Sequence, residues 1–300
     1  MVGYLFAGQG SQYVGMGKEL WDSFEQAKAI FDKADKVLGF RISDLCFNGP
    51  LEELTKTNNC QPAIVTMSIA CWQAYLSKNP RIDGYMAGLS LGEYSALVAA
   101  EALNFQDAVY LVWRRGQFME EEALAHPGKM LSIIGLDLVK IKEICAEVKT
   151  EVANINCPGQ VVVSGSEESI MQAQILAKEK GAKLAVILEV SGAFHSSFMQ
   201  GASLKLAQEL ESINIHPPKF PVICNVTGKP VSTVSEIKQN LIQQVSASVL
   251  WEDSIKLILS KGVINFMEFG PGKVLKGLMR RIDSSAQVVN IEKKSDIDSN

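Results

Sequence analysis

Short apolar runs alternate with stretches of helical period along most of this chain, the pattern of an α/β fold. Residues 2–7 read as a strand ending in a glycine-rich turn, Gly8-Gln9-Gly10-Ser11-Gln12. Helices are predicted over 23–38 and 61–77, a short strand over 84–87, and further helices over about 91–100 and 105–124. The pattern changes near His126-Pro127-Gly128. Beyond it come a strand over 130–136, a helix over 138–148, strands over 151–156 and 160–164, a helix over 167–180 and a strand over 183–190. This βαββαβ order is that of a ferredoxin-like unit. Because both flanks continue as α/β, residues 127–190 are expected to form a small ferredoxin-like subdomain. It is inserted into a large α/β domain made of residues 1–126 and 191–300. Later strands are placed at 220–225 and 265–269, a last helix at 273–281, and a frayed polar tail at 293–300.

Composition narrows the class. With 300 residues, 47% hydrophobic and 21% charged, the chain can bury a large core and is neither disordered nor fibrous. No uncharged apolar run reaches the roughly 18 residues a membrane span needs, and residues 1–6 lack the basic lead of a signal peptide. The cysteines Cys46, Cys60, Cys71, Cys145, Cys157 and Cys224 are scattered with no CxxC pair. We therefore expect reduced thiols in a cytoplasmic protein, with no disulfide framework and no metal site. A net charge of −4 gives no reason to expect nucleic-acid binding.

Gly88-Leu89-Ser90-Leu91-Gly92 fits G-x-S-x-G between a short strand and a helix. A serine there sits on a sharp turn, where side chains two residues to either side would strike neighbouring backbone, and glycine removes that clash. The turn exposes the hydroxyl and aims the Leu91 N–H at the space above it, helped by the helix that follows. The alternative is a purely structural turn. A nucleophilic serine needs a base, usually histidine, and the chain has three. His126 in Ala-His-Pro-Gly and His216 before Pro217-Pro218 read as surface connections. His195 follows the last strand of the insert and precedes a helix, where α/β folds place chemistry, so elimination favours it over a buried structural role.

Arg114 and Arg115 lie side by side on the 105–124 helix, and periodicity separates them. Arg115 has Leu111, Val112, Phe118 and Met119 at i−4, i−3, i+3 and i+4, so it leaves the face destined for burial. A buried guanidinium needs an anion. Either an internal glutamate or the carboxylate of a substrate would serve, and the spacing leaves both open.

Together these residues resemble the malonyl-CoA:acyl carrier protein transacylases and the related acyltransferase domains of polyketide synthases. The resemblance runs from Phe6-Ala7-Gly8-Gln9-Gly10-Ser11-Gln12 to Glu268-Phe269-Gly270-Pro271-Gly272-Lys273-Val274-Leu275. Between them it takes in Gly88-Leu89-Ser90-Leu91-Gly92-Glu93-Tyr94, Arg115-Gly116-Gln117-Phe118-Met119, Asn156-Cys157-Pro158-Gly159-Gln160 and Gly192-Ala193-Phe194-His195. It implies an α/β-hydrolase-like large domain with a ferredoxin-like small one. It also implies ping-pong transfer of malonyl from CoA to the phosphopantetheine thiol of holo acyl carrier protein, through an ester on Ser90. On this resemblance His195 is the base, the backbone N–H groups of Gln9 and Leu91 form the oxyanion hole, and Gln244 helps orient the histidine. Arg115 holds the malonyl carboxylate, with Met119, Phe194 and Asn156 also lining the substrate site. Phe194 would leave little room for an α-methyl branch. No cofactor is implied, and we expect a monomer serving fatty acid synthesis. The chain departs from the family in having Leu89 where histidine usually precedes the nucleophile, and Ser248 in place of a common proline before Trp251.

Lys273, Lys276 and Arg280, at i, i+3 and i+7, would form one basic helix face able to attract an acidic carrier. The plainer expectation is that they complement a helix C-terminus. Three rival readings remain. A nucleotide-binding enzyme is disfavoured because Tyr13 stands where a third glycine belongs after Gly8 and Gly10, and Gln12 where a P-loop would begin before Gly17-Lys18. A proofreading acyl hydrolase or a trans-acting polyketide acyltransferase would share Ser90 and His195, but the hydrolase has less use for Arg115. An inactive docking module would not need serine, histidine and arginine together.

Overall fold

A computed structural model of the chain describes residues 1–299. Ten strands form two sheets. They are β1 Val2–Phe6, β2 Gly84–Gly88, β3 Lys129–Ile134, β4 Glu151–Cys157, β5 Gln160–Gly165, β6 Leu184–Ile187, β7 Val222–Ile223, β8 Pro230–Val231, β9 Asn265–Phe269 and β10 Gln287–Ile291.

The larger sheet runs β10-β9-β1-β2-β7-β8, parallel except where β8 turns back on β7. Every residue of β1 is buried, as a central parallel strand covered on both faces requires, and this explains its unbroken apolar run. The register aligns Phe6 with both Gly88 and Phe269, and Ala87 with Ile223. Four loops therefore leave the same carboxyl edge side by side, the position where open parallel sheets present chemistry. Helix Thr57–Leu76 is buried on nearly all sides, whereas Phe105–Ala125 buries one face. The latter starts at Asn104, whose side chain accepts the Asp107 N–H at 2.8 Å.

The second sheet is antiparallel in the order β4-β5-β3-β6, with helices Leu138–Val148 and Glu167–Glu179 inserted as the ferredoxin-like order demands. The loop before Trp251 ties it to the larger body. Val249 N–H donates to Ala153 O at 2.8 Å, Ile155 N–H donates to Val249 O at 2.9 Å, and the Ser248 hydroxyl donates to Val152 O. Serine in place of proline thus gains a donor that proline lacks, and the loop stays anchored.

Several boundaries differ from the sequence reading. Helix Thr57–Leu76 begins four residues before its expected start and carries Pro62 within it. β6 ends at Ile187 rather than at 190, since Leu188, Glu189 and Val190 leave the sheet to line a cavity. The expected frayed tail is ordered through residue 299. β10 adds to the sheet, and helix Lys294–Asp298 anchors it by burying Ile297, with Asp298 paired to Lys78. Residue 300 lies outside the described residues.

Candidate active site

Between the two sheets lies a cavity of about 590 Å³. Its lining includes Gln9, Leu89, Ser90, Arg115, Met119, Asn156, Phe194 and His195, so eight sequence-predicted positions, one of them the flanking Leu89, meet in one space. Exposed Glu52, Lys56, Glu189 and Val274 rim it.

Ser90 stands on the turn between β2 and helix Gly92–Ala99 with φ of 51°, a left-handed conformation that costs a non-glycine residue about 1–3 kcal/mol. The flanking glycines are there for the reason expected. A Cβ on Gly88 would lie 1.9 Å from the Gly92 carbonyl carbon, and one on Gly92 would lie 2.2 Å from Phe6 O. Asn225, just beyond β7, braces the turn from behind: its Oδ1 accepts the Ser90 N–H at 2.6 Å and its Nδ2 donates to Gly88 O at 2.8 Å.

His195 also has positive φ, 58°. Its loop is pinned by Ser164 and Ser196 hydroxyls, which donate to Phe194 O and Ala193 O, each at 2.6 Å. Nδ1 lies 2.8 Å from the Gln244 carbonyl, which can only accept, so Nδ1 carries the proton and Nε2 is bare. The Ser90 hydroxyl then donates to Nε2 at 2.8 Å. Burial, followed by the positive charge of Arg115, pulls the imidazole pKa down to about 4, so at neutral pH it is an unprotonated acceptor.

Arg115 is 1% exposed. Nη1 donates to Gln61 Oε1 at 2.7 Å, and Nη2 to Ser90 Oγ at 3.3 Å and Gln244 Oε1 at 3.2 Å. All three partners are neutral oxygens, and Nε has none. The internal glutamate that the sequence left open is not bonded to it. Arg114 takes that role instead, its Nε pairing with Glu209 at 2.9 Å.

The N–H groups of Gln9 and Leu91 donate to no protein group among the described residues. Asn156 reaches the cavity from β4 with Oδ1 unpartnered. Gln244 meets the site in two ways. Its carbonyl meets the histidine, but its side chain lies outside the cavity lining, bonded to Arg115, Ser90 O at 3.1 Å and Glu93 at 2.7 Å. His126 and His216 are on the surface, and Leu89 presents an apolar wall beside Ser90. Sequence reasoning missed Gln61, Glu93 and Asn225. A buried glutamate next to the serine motif was a legible signal, whereas Asn225 and Gln61 are polar residues whose partners lie far away in sequence.

The basic helix face also needs revision. Helix Val274–Ile282 begins right after Lys273, and Lys276 is in its first turn. Two of the three cations therefore sit at the electropositive end, where they oppose the helix dipole, and only Arg280 complements the C-terminus. Lys273 adjoins the cavity-rim residue Val274.

Over residues 3–289 the chain matches the family described as acyl transferase domain. It is 45% identical over 295 residues to the malonyl CoA-acyl carrier protein transacylase of Bacillus subtilis (strain 168), covering 97% of this chain and 93% of that one. The solved transacylase of Coxiella burnetii superposes with a TM-score of 0.97 at 37% identity, covering 99% and 96% of the two chains. A malonyl-transacylase solved in complex with a type II polyketide synthase acyl carrier protein superposes at 0.96 with 38% identity, covering 99% and 98%. In sequence, fold and arrangement of the serine motif, the chain belongs to the acyl transferase family.

Proposed function

We propose that this protein is a malonyl-CoA:acyl carrier protein S-malonyltransferase of fatty acid synthesis, working through an ester on Ser90. The observation that carries this reading is a buried arginine with only neutral partners, set beside a serine already bonded to an unprotonated histidine.

The reaction follows from the geometry. Malonyl-CoA enters the cavity and its free carboxylate meets the Arg115 guanidinium, a planar donor set suited to a carboxylate. Ser90 Oγ attacks the thioester carbonyl while His195 Nε2 takes its proton. The Gln9 and Leu91 N–H groups receive the developing oxyanion, commonly the largest electrostatic contribution in acyl transfer. On collapse the C–S bond breaks, and the imidazolium, acidic because its pKa is low, returns the proton to the CoA sulfur. The phosphopantetheine thiol of the carrier then gives its proton to His195 and attacks the Ser90 ester; the ester C–O bond breaks, the imidazolium returns the proton to Ser90 Oγ, and the carrier leaves with the malonyl group. Each half-reaction exchanges one acyl bond for another with no net redox change, so the chemistry requires no cofactor. Phe194 and Met119 shape the pocket against bulkier acyl groups, and Asn156 offers a polar contact to the substrate. The Gln244 carbonyl holds the histidine tautomer.

An acidic carrier would approach over Lys273 and Lys276, cations at a helix end where they do not serve the helix. All six cysteines are free and buried, which supports a reducing cytoplasmic setting, and no described helix is long and apolar enough to cross a membrane. The test is intact-protein mass spectrometry after brief exposure to malonyl-CoA. One malonyl adduct on the parent protein and none on Ser90→Ala is the expected result. An adduct that persists on Ser90→Ala would contradict the assignment.

A further inference from the structure

Glu93 is the second residue of the helix that follows the nucleophile turn, and it is 2% exposed. It does not line the cavity, and the mechanism above makes no use of it. One of its oxygens, Oε2, accepts two hydrogen bonds: from the Asn225 N–H at 3.0 Å and from Gln244 Nε2 at 2.7 Å. Both donors belong to residues that hold the reacting groups. Asn225 Oδ1 receives the Ser90 N–H. Gln244 touches three of them: Nε2 donates to Ser90 O, Oε1 accepts from Arg115, and its carbonyl accepts from His195 Nδ1.

A glutamine side chain is symmetric in shape but not in chemistry, so its orientation has to be imposed. Turned over, Gln244 would aim its NH₂ at the Arg115 guanidinium, donor against donor, and its oxygen at Ser90 O, acceptor against acceptor. Glu93 Oε2 faces both donors as an acceptor, whether the group is a carboxylate or carries its proton on Oε1, and it therefore disfavours the turned-over state from the far side.

We infer that Glu93 is a positioning residue for acyl transfer: by accepting from Gln244 and Asn225 at one oxygen, it locks the Gln244 amide so that Arg115 and the Ser90 turn are held in register. The inference rests on the transacylase reading above. It is distinct from a plain charge-balancing role for Glu93 opposite the buried Arg115, and two substitutions separate the roles. Glu93→Gln keeps the reach and, through its amide oxygen, the acceptor for both donors, but removes the charge. Glu93→Asp keeps the charge but withdraws the oxygen by about 1.5 Å, one C–C bond, which breaks both bonds.

The experiment is the rate of Ser90 acylation by malonyl-CoA, read by quenched-flow mass spectrometry, with folding checked by thermal unfolding. Loss of hydrogen bonds to a charged group predicts that Glu93→Asp acylates about ten- to a hundredfold more slowly than the parent. Glu93→Gln is expected to acylate at least about tenfold faster than Glu93→Asp. Because Glu93 acts largely through Gln244, adding Glu93→Asp to a Gln244→Ala background should cost less than about threefold more. Glu93→Asp outperforming Glu93→Gln, or its full loss persisting in the Gln244→Ala background, would overturn the inference. If Glu93→Asp does not fold, Glu93→Gln decides alone, since charge balancing demands a loss of about tenfold or more in it and positioning does not. A parent protein that takes up no malonyl would bring down the transacylase reading itself. A normally acylating parent with the opposite order of variants would sink only the role of Glu93.

Discussion

Replacing Arg115 by alanine separates its two possible uses, packing and recognition. In the folded protein the guanidinium is 1% exposed and satisfied only by the oxygens of Gln61, Ser90 and Gln244, so a malonyl carboxylate would be its first bonded anion. Removing one partner of a buried, hydrogen-bonded charge pair costs about 3–5 kcal/mol, because the other charge is left desolvated and unmatched. At about 1.4 kcal/mol per tenfold, Arg115→Ala should slow acylation by malonyl-CoA by roughly a hundred- to a few-thousandfold. Acetyl-CoA carries no carboxylate to strand, so its acylation should change by less than about tenfold, as expected when only uniform binding and packing are disturbed. The assay is single-turnover adduct formation with each thioester at equal enzyme concentration, with thermal unfolding to confirm the fold. If malonyl and acetyl acylation fall by the same factor, the arginine serves the scaffold and the reasoning fails.

Three further expectations follow from the geometry. With its pKa pulled down to about 4 by burial and by Arg115, His195 stays unprotonated well below its ordinary 6.5. The kcat/KM for malonyl-CoA should therefore hold from pH 8 to about 5 and fall only near 4, and a limb at 6.5 would count against the assignment. Burial raises the Glu93 carboxyl from its ordinary 4.5 to about 7. Its contribution to stability is thus fully present below about 4.5 and lost as pH rises through 7, so Glu93→Gln should gain stability relative to the parent across that window in thermal melts, and a pH-independent difference would refute this. Gly88→Ala places a Cβ 1.9 Å from backbone and should cost at least about 3 kcal/mol in urea unfolding, whereas Gly277→Ala, with open space around it, should be neutral or stabilising by up to about 1 kcal/mol. Equal effects at the two glycines would show that the close approach at the serine turn is not what requires glycine.

The parts of this site that were legible in the sequence are those with local cause. The paired glycines around Ser90 signal a crowded turn, and helical spacing alone assigns Arg115 rather than Arg114 to the buried face. His195 emerges because only three histidines exist and two sit in polar turns. What stayed hidden depends on long-range placement. The Asn225 brace is a contact across 135 residues, and the reach of Gln61 to Arg115 spans 54. Gln244 meets His195 through its backbone carbonyl while its amide works elsewhere, a division that a residue letter does not show. The basic residues near the chain end were expected to complement a helix C-terminus, yet Lys273 and Lys276 stand at the start of that helix, where the dipole opposes them. The polar tail misled through composition, since Ile297 is buried and Asp298 pairs with Lys78.

The central claim is that an acyl group passes through Ser90 to a carrier thiol, and a pulse-chase measures it most directly. The enzyme is charged briefly with malonyl-CoA, freed of excess substrate, and followed by intact mass with and without holo acyl carrier protein. The account predicts an adduct that persists in buffer and disappears as the carrier gains one malonyl group. An adduct that decays equally fast without the carrier would make the protein a hydrolase and contradict it.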